Sequence, residues 1–96
     1  MSNFDFITVV GVGTRRNGVS KSGNAYDFTP VHIVYDPAPG DKINGKAAAE
    51  VLVDTDTMNR IKPTPGDEFT VCLNKARSGV SVTHWISRGR VDLDLL

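Results

Sequence analysis

Short stretches in which apolar and polar residues alternate follow one another along the chain, with turn-forming residues between them. In the stretch 80–87, Val82 and Ile86 have one parity and Trp85 has the other, so the pattern predicts that Trp85 faces away from the buried side. No segment shows a helical period, and 58–68, which contains two prolines, reads as a connection. Five segments are predicted to be the principal strands: 6–12, 25–36, 47–56, 69–74 and 80–87.

The long second strand carries a proline where its apolar parity changes. Tyr26 and Phe28 share one face, and apolar residues of the opposite parity follow between positions 31 and 35. Pro30 lies between the two groups and cannot donate a hydrogen bond to a neighbouring strand. We therefore expect a β-bulge at Pro30, which lets the strand change its buried face and bend.

The polar segment TRRNGVSKSGN separates the first two predicted strands. It contains Asn17-Gly18, a pair that favours a tight turn because both residues tolerate positive φ, and Ser22-Gly23 follows. Turns recur at regular spacing along the rest of the chain, which favours a small all-β Greek-key barrel over a sandwich. The length of 96 residues fits a single domain spanning 1–96.

Composition narrows the class of protein. Hydrophobic residues make up 40 % of the chain, which argues against intrinsic disorder. No apolar run of about 18 residues occurs, so we expect no transmembrane helix and no membrane partner. The N-terminal segment lacks the basic region of a signal peptide. The lone Cys72 cannot form an internal disulfide, and a reducing cytoplasm is the expected compartment.

Charge is balanced overall but unevenly distributed. Lysine and arginine number 11, and aspartate and glutamate also number 11. Two basic sets lie mostly apart from the acids, so a strong local field is expected despite zero net charge. The first set is Arg15, Arg16 and Lys21, and the second is Lys75, Arg77, Arg88 and Arg90.

Signals for catalysis or metal binding are weak. The segment GVGTRRNG lacks the lysine pattern of a phosphate-binding loop. His32 and His84 are far apart and no Cys-x-x-Cys accompanies them, which argues against zinc. Cys72 alternates with apolar residues and is expected to be a buried structural thiol. Asp54 and Asp56 are expected on a solvated strand edge. We therefore predict no enzymatic activity, no cofactor and no metal.

The first basic set is the strongest functional signal. Arg15, Arg16 and Lys21 flank a turn, and the aromatic residues Tyr26 and Phe28 follow. Proteins that bind single-stranded nucleic acids need both ingredients, because cations follow the phosphate backbone and flat rings stack on unpaired bases. The alternative is a solvent-exposed loop with ordinary charges beside two core rings.

The same segment, TRRNGVSKSGNAYDF, resembles the DNA-binding wing of the helix-destabilising proteins of filamentous phages (inoviruses). PGDEFTVCL is similar to a second block of that family, with one inserted residue. Arg88 and Arg90 lie where the family has two alternating arginines on its final strand. The residues that match the wing pattern are Thr14, Arg15, Arg16, Gly18, Val19, Ser20, Lys21, Gly23 and Tyr26.

The resemblance implies a five-stranded OB-fold barrel with a protruding β-hairpin wing, assembled as a two-fold homodimer. Members of the family coat single-stranded DNA cooperatively and without base specificity, during replication and before packaging. The implied location is therefore the cytoplasm of the bacterial host. Carried over by position, Arg16 and Lys21 would contact phosphates from the wing. Tyr26 would stack on a base, and Phe28 would support or extend that platform.

The resemblance also implies that Arg88 and Arg90 contact phosphates along the barrel, and the basic set to which they belong makes Arg77 a further candidate. The family carries an aromatic residue in the hairpin that corresponds to 75–79, where it reaches bases bound by the partner subunit. This chain has no aromatic residue there. Trp85 either takes over that contact or packs in a dimer interface.

Two other functions fit the same sequence features. An RNA-binding translational repressor would combine the same wing and rings. A non-nucleic-acid interaction module, such as a small assembly protein, is slightly favoured by the zero net charge. Only the two nucleic-acid functions predict salt-sensitive binding to an oligonucleotide.

Overall fold

The computed structural model describes residues 4–37, 40, 42–76 and 79–90. Within these residues the chain forms an antiparallel sheet of six strands and one short helix, so the prediction of an all-β fold is confirmed. The elements are β1 (Asp5–Val12), β2 (Arg16–Val19), β3 (Ala25–Tyr35), β4 (Ala47–Asp54), α1 (Thr55–Ile61), β5 (Asp67–Ala76) and β6 (Gly79–Arg90).

The long strand β3 organises the sheet. One edge of β3 pairs with β1 and, nearer its start, with β2, while its other edge pairs with β4. Strand β2 thus continues the path of β1 after a break at residues 13–15. On the far side β1 pairs with β5, which pairs with β6, and β6 comes back beside β4. Full closure into an OB-fold barrel remains a prediction.

The core lies on one face of this curved sheet. Because strand residues alternate between faces, every second residue of each main strand points into it. Met58 and Ile61 of α1 pack against its margin. The buried apolar residues are Ile7, Val9, Val31, Ile33, Tyr35, Ala47, Val51, Val53, Phe69, Val71 and Trp85.

The prediction of a helix-free chain is wrong at 55–61. The Asp54 carboxylate accepts a hydrogen bond from the Thr57 amide at 3.1 Å and so caps the first turn of α1. At the other end, Lys62 adopts a left-handed conformation and its amide bonds the Met58 carbonyl. Pro63 follows and prevents continuation. Since the helix has only seven residues, it is too short to show a period in the sequence.

The capping carboxylate predicts a stability effect. The pKa of Asp54 is lowered because the Thr57 hydroxyl and amide both donate to it, so it is ionised at neutral pH. We expect Asp54→Ala to lower the free energy of unfolding by about 1 kcal/mol. Asp54→Asn is expected to lower it much less, because asparagine also caps helices. Urea denaturation of the two variants measures this. Equal losses for both substitutions would contradict a capping role.

The bulge expected at Pro30 is absent, and that prediction is wrong. Strand β3 keeps one continuous register with β4 from Phe28 to Tyr35. The Pro30 carbonyl accepts from the Gly13 amide at 2.8 Å, so the proline nitrogen points toward the break between β1 and β2 and costs no ladder bond. The register shift instead lies on β1, between Val9 and Gly11.

The predicted orientation of Trp85 is also wrong. Its side chain is only 6 % exposed and packs edge-on against Phe69, with ring centroids 5.2 Å apart, whereas Ile86 is 54 % exposed. The cause is an irregularity just before it. His84 has a left-handed φ of 59°, and the register of β5 and β6 shifts at this point. Such a bulge reverses the alternation after it. The ring is therefore a core residue and cannot stack on a base or on a partner subunit.

Candidate nucleic-acid interface

The wing is the far end of the β2–β3 hairpin. Asn17 and Gly18 do not form its turn, contrary to the prediction, but lie inside β2. The chain reverses at 20–24, where the Ser20 amide donates to the Asn24 carbonyl at 2.8 Å. Gly23 supplies the positive φ of 87° that this turn requires. The second of the two turn pairs in the sequence is therefore the one used.

One face of the wing carries an aromatic pair and a cation. Arg16 lies opposite Phe28 and Gly18 opposite Tyr26, and directly paired residues share a face. The rings of Tyr26 and Phe28 are 5.8 Å apart and tilted by 37°. Tyr26 is 42 % exposed, and Phe28 is half-buried beneath it toward the sheet. The two rings form a small open platform on the side of the sheet away from the core.

Gly18 lets the outer ring lie close to the backbone. A Cβ atom at this position would come within 2.9 Å of the Tyr26 Oη atom and 3.1 Å of the ring. Any larger residue would therefore push the tyrosine outward. The sequence predicts a turn at Gly18 and gives no signal of this contact, because the contact depends on the hairpin register rather than on local turn chemistry.

Arg15 is held on the opposite face of the wing. Its guanidinium binds both carboxylate oxygens of Asp27, Nε to Oδ1 at 2.7 Å and Nη2 to Oδ2 at 2.6 Å. The Thr55 hydroxyl donates to the same carboxylate at 2.6 Å. The hydrogen bond from Arg15 has the largest effect on the pKa of Asp27, and together with the one from Thr55 it lowers that pKa to about 2. Arg15 was predicted with the nucleic-acid contacts, but its charge is balanced by Asp27, and the Asp27 carboxylate joins the wing to Thr55 at the start of α1.

Arg16 and Lys21 are the unpaired cations of the wing. Both are exposed, and neither side chain makes a hydrogen bond or ion pair with any other residue in the described part of the chain. Arg16 shares the face of the aromatic pair, and Lys21 lies in the turn at the tip. Because their charges are not compensated locally, they contribute a positive field beside the rings.

The two arginines of β6 are engaged differently from each other. The Arg88 guanidinium lies over the ring of Phe6, 4.0 Å from its centroid. Arg90 donates to the Thr64 hydroxyl at 3.1 Å and to the Pro65 carbonyl at 2.9 Å, which holds it against the turn before β5. Arg88 thus presents its guanidinium on the outer face, while Arg90 has part of its donor set already used.

The hairpin between β5 and β6 contains the two remaining residues of the second basic set, Lys75 and Arg77. Arg77 lies outside the described residues. Lys75 lies at its base with its Nζ atom 5.2 Å from the centroid of the Tyr35 ring. Trp85, the ring predicted to complete this region, is in the core as described above.

The histidines and the cysteine considered for metal binding or catalysis lie apart from the wing. No group of three His, Cys, Asp or Glu side chains among these residues is arranged to hold a metal ion. Cys72, expected to be buried, is half-buried. The His32 Nε2 atom lies 3.6 Å from the Glu50 Oε2 atom on the outer face, and both side chains are exposed. No helix in the described ranges has the length and apolar character needed to cross a membrane.

The outer face of the sheet therefore combines two aromatic features with exposed cations at its two ends. The wing contributes Tyr26, Phe28 and Arg16, and the opposite end contributes Phe6 with Arg88. The sequence did not predict a role for Phe6, because this residue belongs to an apolar run whose pattern does not distinguish buried from exposed positions. Comparisons with protein-family models, with curated proteins and with solved structures found no match for this chain.

Proposed function

We propose that this protein binds single-stranded DNA without base specificity through the outer face of the wing and sheet. The observation that carries the proposal is the open aromatic pair, Tyr26 and Phe28, flanked by the unpaired cations Arg16 and Lys21. Rings of this kind stack on any base because every base has a π-face, and the cations follow the phosphates. Stacking and phosphate contacts carry little sequence information, which supports binding without sequence preference.

The proposal includes the OB-fold architecture and the family resemblance. Strands β1 and β2 would together be the first strand of the barrel, with β3 and β4 the second and third. OB folds bind oligonucleotides on the face of their second and third strands and with the loop between the first two, which is where the ring pair and the wing lie. As in the phage proteins that the wing resembles, we propose a homodimer that coats genome strands cooperatively in the cytoplasm of the bacterial host.

Salt dependence tests whether the wing cations bind phosphates. Each phosphate contact on a single strand contributes roughly 0.7 to the slope of log affinity against log salt. Arg16→Ala and Lys21→Ala are each expected to lower that slope by about one contact. The measurement is fluorescence anisotropy of a labelled oligo-dT over a series of salt concentrations.

Lys62→Asn is the matched control for these variants. Lys62 is also an exposed cation, but it follows α1, whose Met58 and Ile61 pack against the core. Asparagine tolerates the left-handed conformation of this residue, so removal of the charge is expected to leave the slope unchanged. A slope that is equally reduced in all three variants reports only net charge, and a slope unchanged in all three means that the wing cations do not contact phosphates.

A further inference from the structure

Phe6 is a large apolar side chain placed in solvent. It is 57 % exposed and lies at the end of the sheet opposite the wing. Across the sheet it pairs with Thr70, which pairs with the exposed Ile86, so these three side chains form a row on the outer face. Arg88 covers part of the Phe6 ring and leaves the remainder open.

An arginine on a ring offers two kinds of contact at once. The guanidinium of Arg88 lies over the Phe6 ring, and its N–H donors make no hydrogen bond or ion pair within the described part of the chain. An arginine placed in this way keeps its fork of donors for another ligand. A base can stack on the open part of the ring while a phosphate oxygen accepts from the guanidinium. This combination of a ring and a cation is the one that single-strand binding sites use.

The row belongs to the same sheet face as the wing platform. Along β3 the residues on the core side have odd numbers, so Tyr26 and Phe28 lie on the outer side. Phe6 precedes the buried Ile7, which pairs with Tyr35, and so faces outward as well. Tyr26 marks the wing end of β3, and Tyr35 marks the end beside Phe6. At about 3.3 Å per residue along the strand, these two ends are roughly 30 Å apart.

We propose that Phe6 and Arg88 form a second base-stacking platform, which holds the same single strand about 30 Å from the wing. The inference rests on the proposed function and adds to it a binding residue and a minimum length of strand. A strand of four nucleotides covers about 14 Å at the stacked spacing of about 3.4 Å per nucleotide and reaches only one platform. A strand of about 16 nucleotides is long enough to contact both.

Length-dependent affinity tests the inference. Phe6→Leu keeps an apolar side chain on the sheet but removes the ring. For a 16-nucleotide oligo-dT its affinity is expected to fall about 5- to 150-fold, the usual range for one lost stacking contact, while the affinity for a four-nucleotide oligo-dT falls no more than about twofold. Affinity equal to that of the unmodified protein at both lengths would overturn the second platform and leave the proposed function intact. Failure of the unmodified protein to bind either oligomer would overturn both.

A tryptophan probe adds a direct readout of contact. Phe6→Trp restores a ring and is expected to restore affinity for the longer oligomer. Its exposed indole should lose fluorescence when oligo-dT binds, whereas the buried Trp85 of the unmodified protein should change little. An indole that keeps its fluorescence at saturating oligo-dT contradicts stacking at this position. Sedimentation of both Phe6 variants without DNA must match that of the unmodified protein, because a change in oligomeric state would assign the row to a subunit interface instead.

Discussion

Replacement of Trp85 by alanine is expected to lower the free energy of unfolding by about 3–5 kcal/mol, the usual cost of deleting a large buried ring. The side chain is 6 % exposed and packs against Phe69 at the centre of the core. In a domain of this size the loss corresponds to a drop in Tm of about 15–30 °C. Thermal and urea denaturation followed by circular dichroism measure it.

Ile86→Ala is the matched control on the same strand. Ile86 is the residue that simple alternation places in the core, but the structure leaves it mostly in solvent. Its truncation is expected to change the free energy of unfolding by no more than about 0.5 kcal/mol. If Ile86→Ala were the severe substitution and Trp85→Ala the mild one, the bulge before Trp85 would be refuted and the alternation restored.

Removal of the Tyr26 ring is expected to have the largest effect on DNA binding. Tyr26→Ala should weaken binding to oligo-dT by about 1–3 kcal/mol, as the loss of one stacked base does. The slope of log affinity against log salt should stay nearly constant, because no phosphate contact is removed. Stability should also be preserved, since the ring lies on the wing outside the core.

Two further substitutions separate the ring from the rest of the wing. Gly18→Ala retains the tyrosine but displaces it, because the new Cβ would occupy the space of the ring hydroxyl, so a partial loss of affinity is expected. Val19→Ala removes exposed apolar surface from the opposite face of the wing and should bind normally. Unfolding of Tyr26→Ala would place the ring in the core, and normal binding by Tyr26→Ala would exclude it from the interface.

The core could be predicted where the strands are regular. Alternation located the buried residues of the second half of β3 because period two holds there without interruption. It failed after His84, where a single residue with positive φ reverses the parity of Trp85 and Ile86. Residues other than glycine are uncommon at positive φ, and although histidine is enriched among them, one histidine inside an alternating stretch is a much weaker signal than a glycine.

The candidate site was predictable in part for similar reasons. Parity alone places Tyr26 and Phe28 on one face, and the structure confirms that they are neighbours. The partner of Arg15 was not predictable, because Asp27 comes within its reach only when the hairpin turns at 20–24 and pairs Asp27 with Asn17. The Arg88 contact with Phe6 joins residues at opposite ends of the chain, so only the pairing of β1, β5 and β6 reveals it.

Binding to matched single-stranded and double-stranded oligonucleotides tests the central claim most directly. Labelled oligo-dT of about 16 nucleotides, a DNA duplex of equal length and an oligo-U RNA are titrated with the protein at low and at high salt. We expect tight, salt-sensitive binding to the single-stranded DNA and much weaker binding to the duplex, whose bases are already stacked and unavailable to Tyr26. Equal affinity for single strand and duplex, binding confined to the RNA, or no binding at low salt would contradict it.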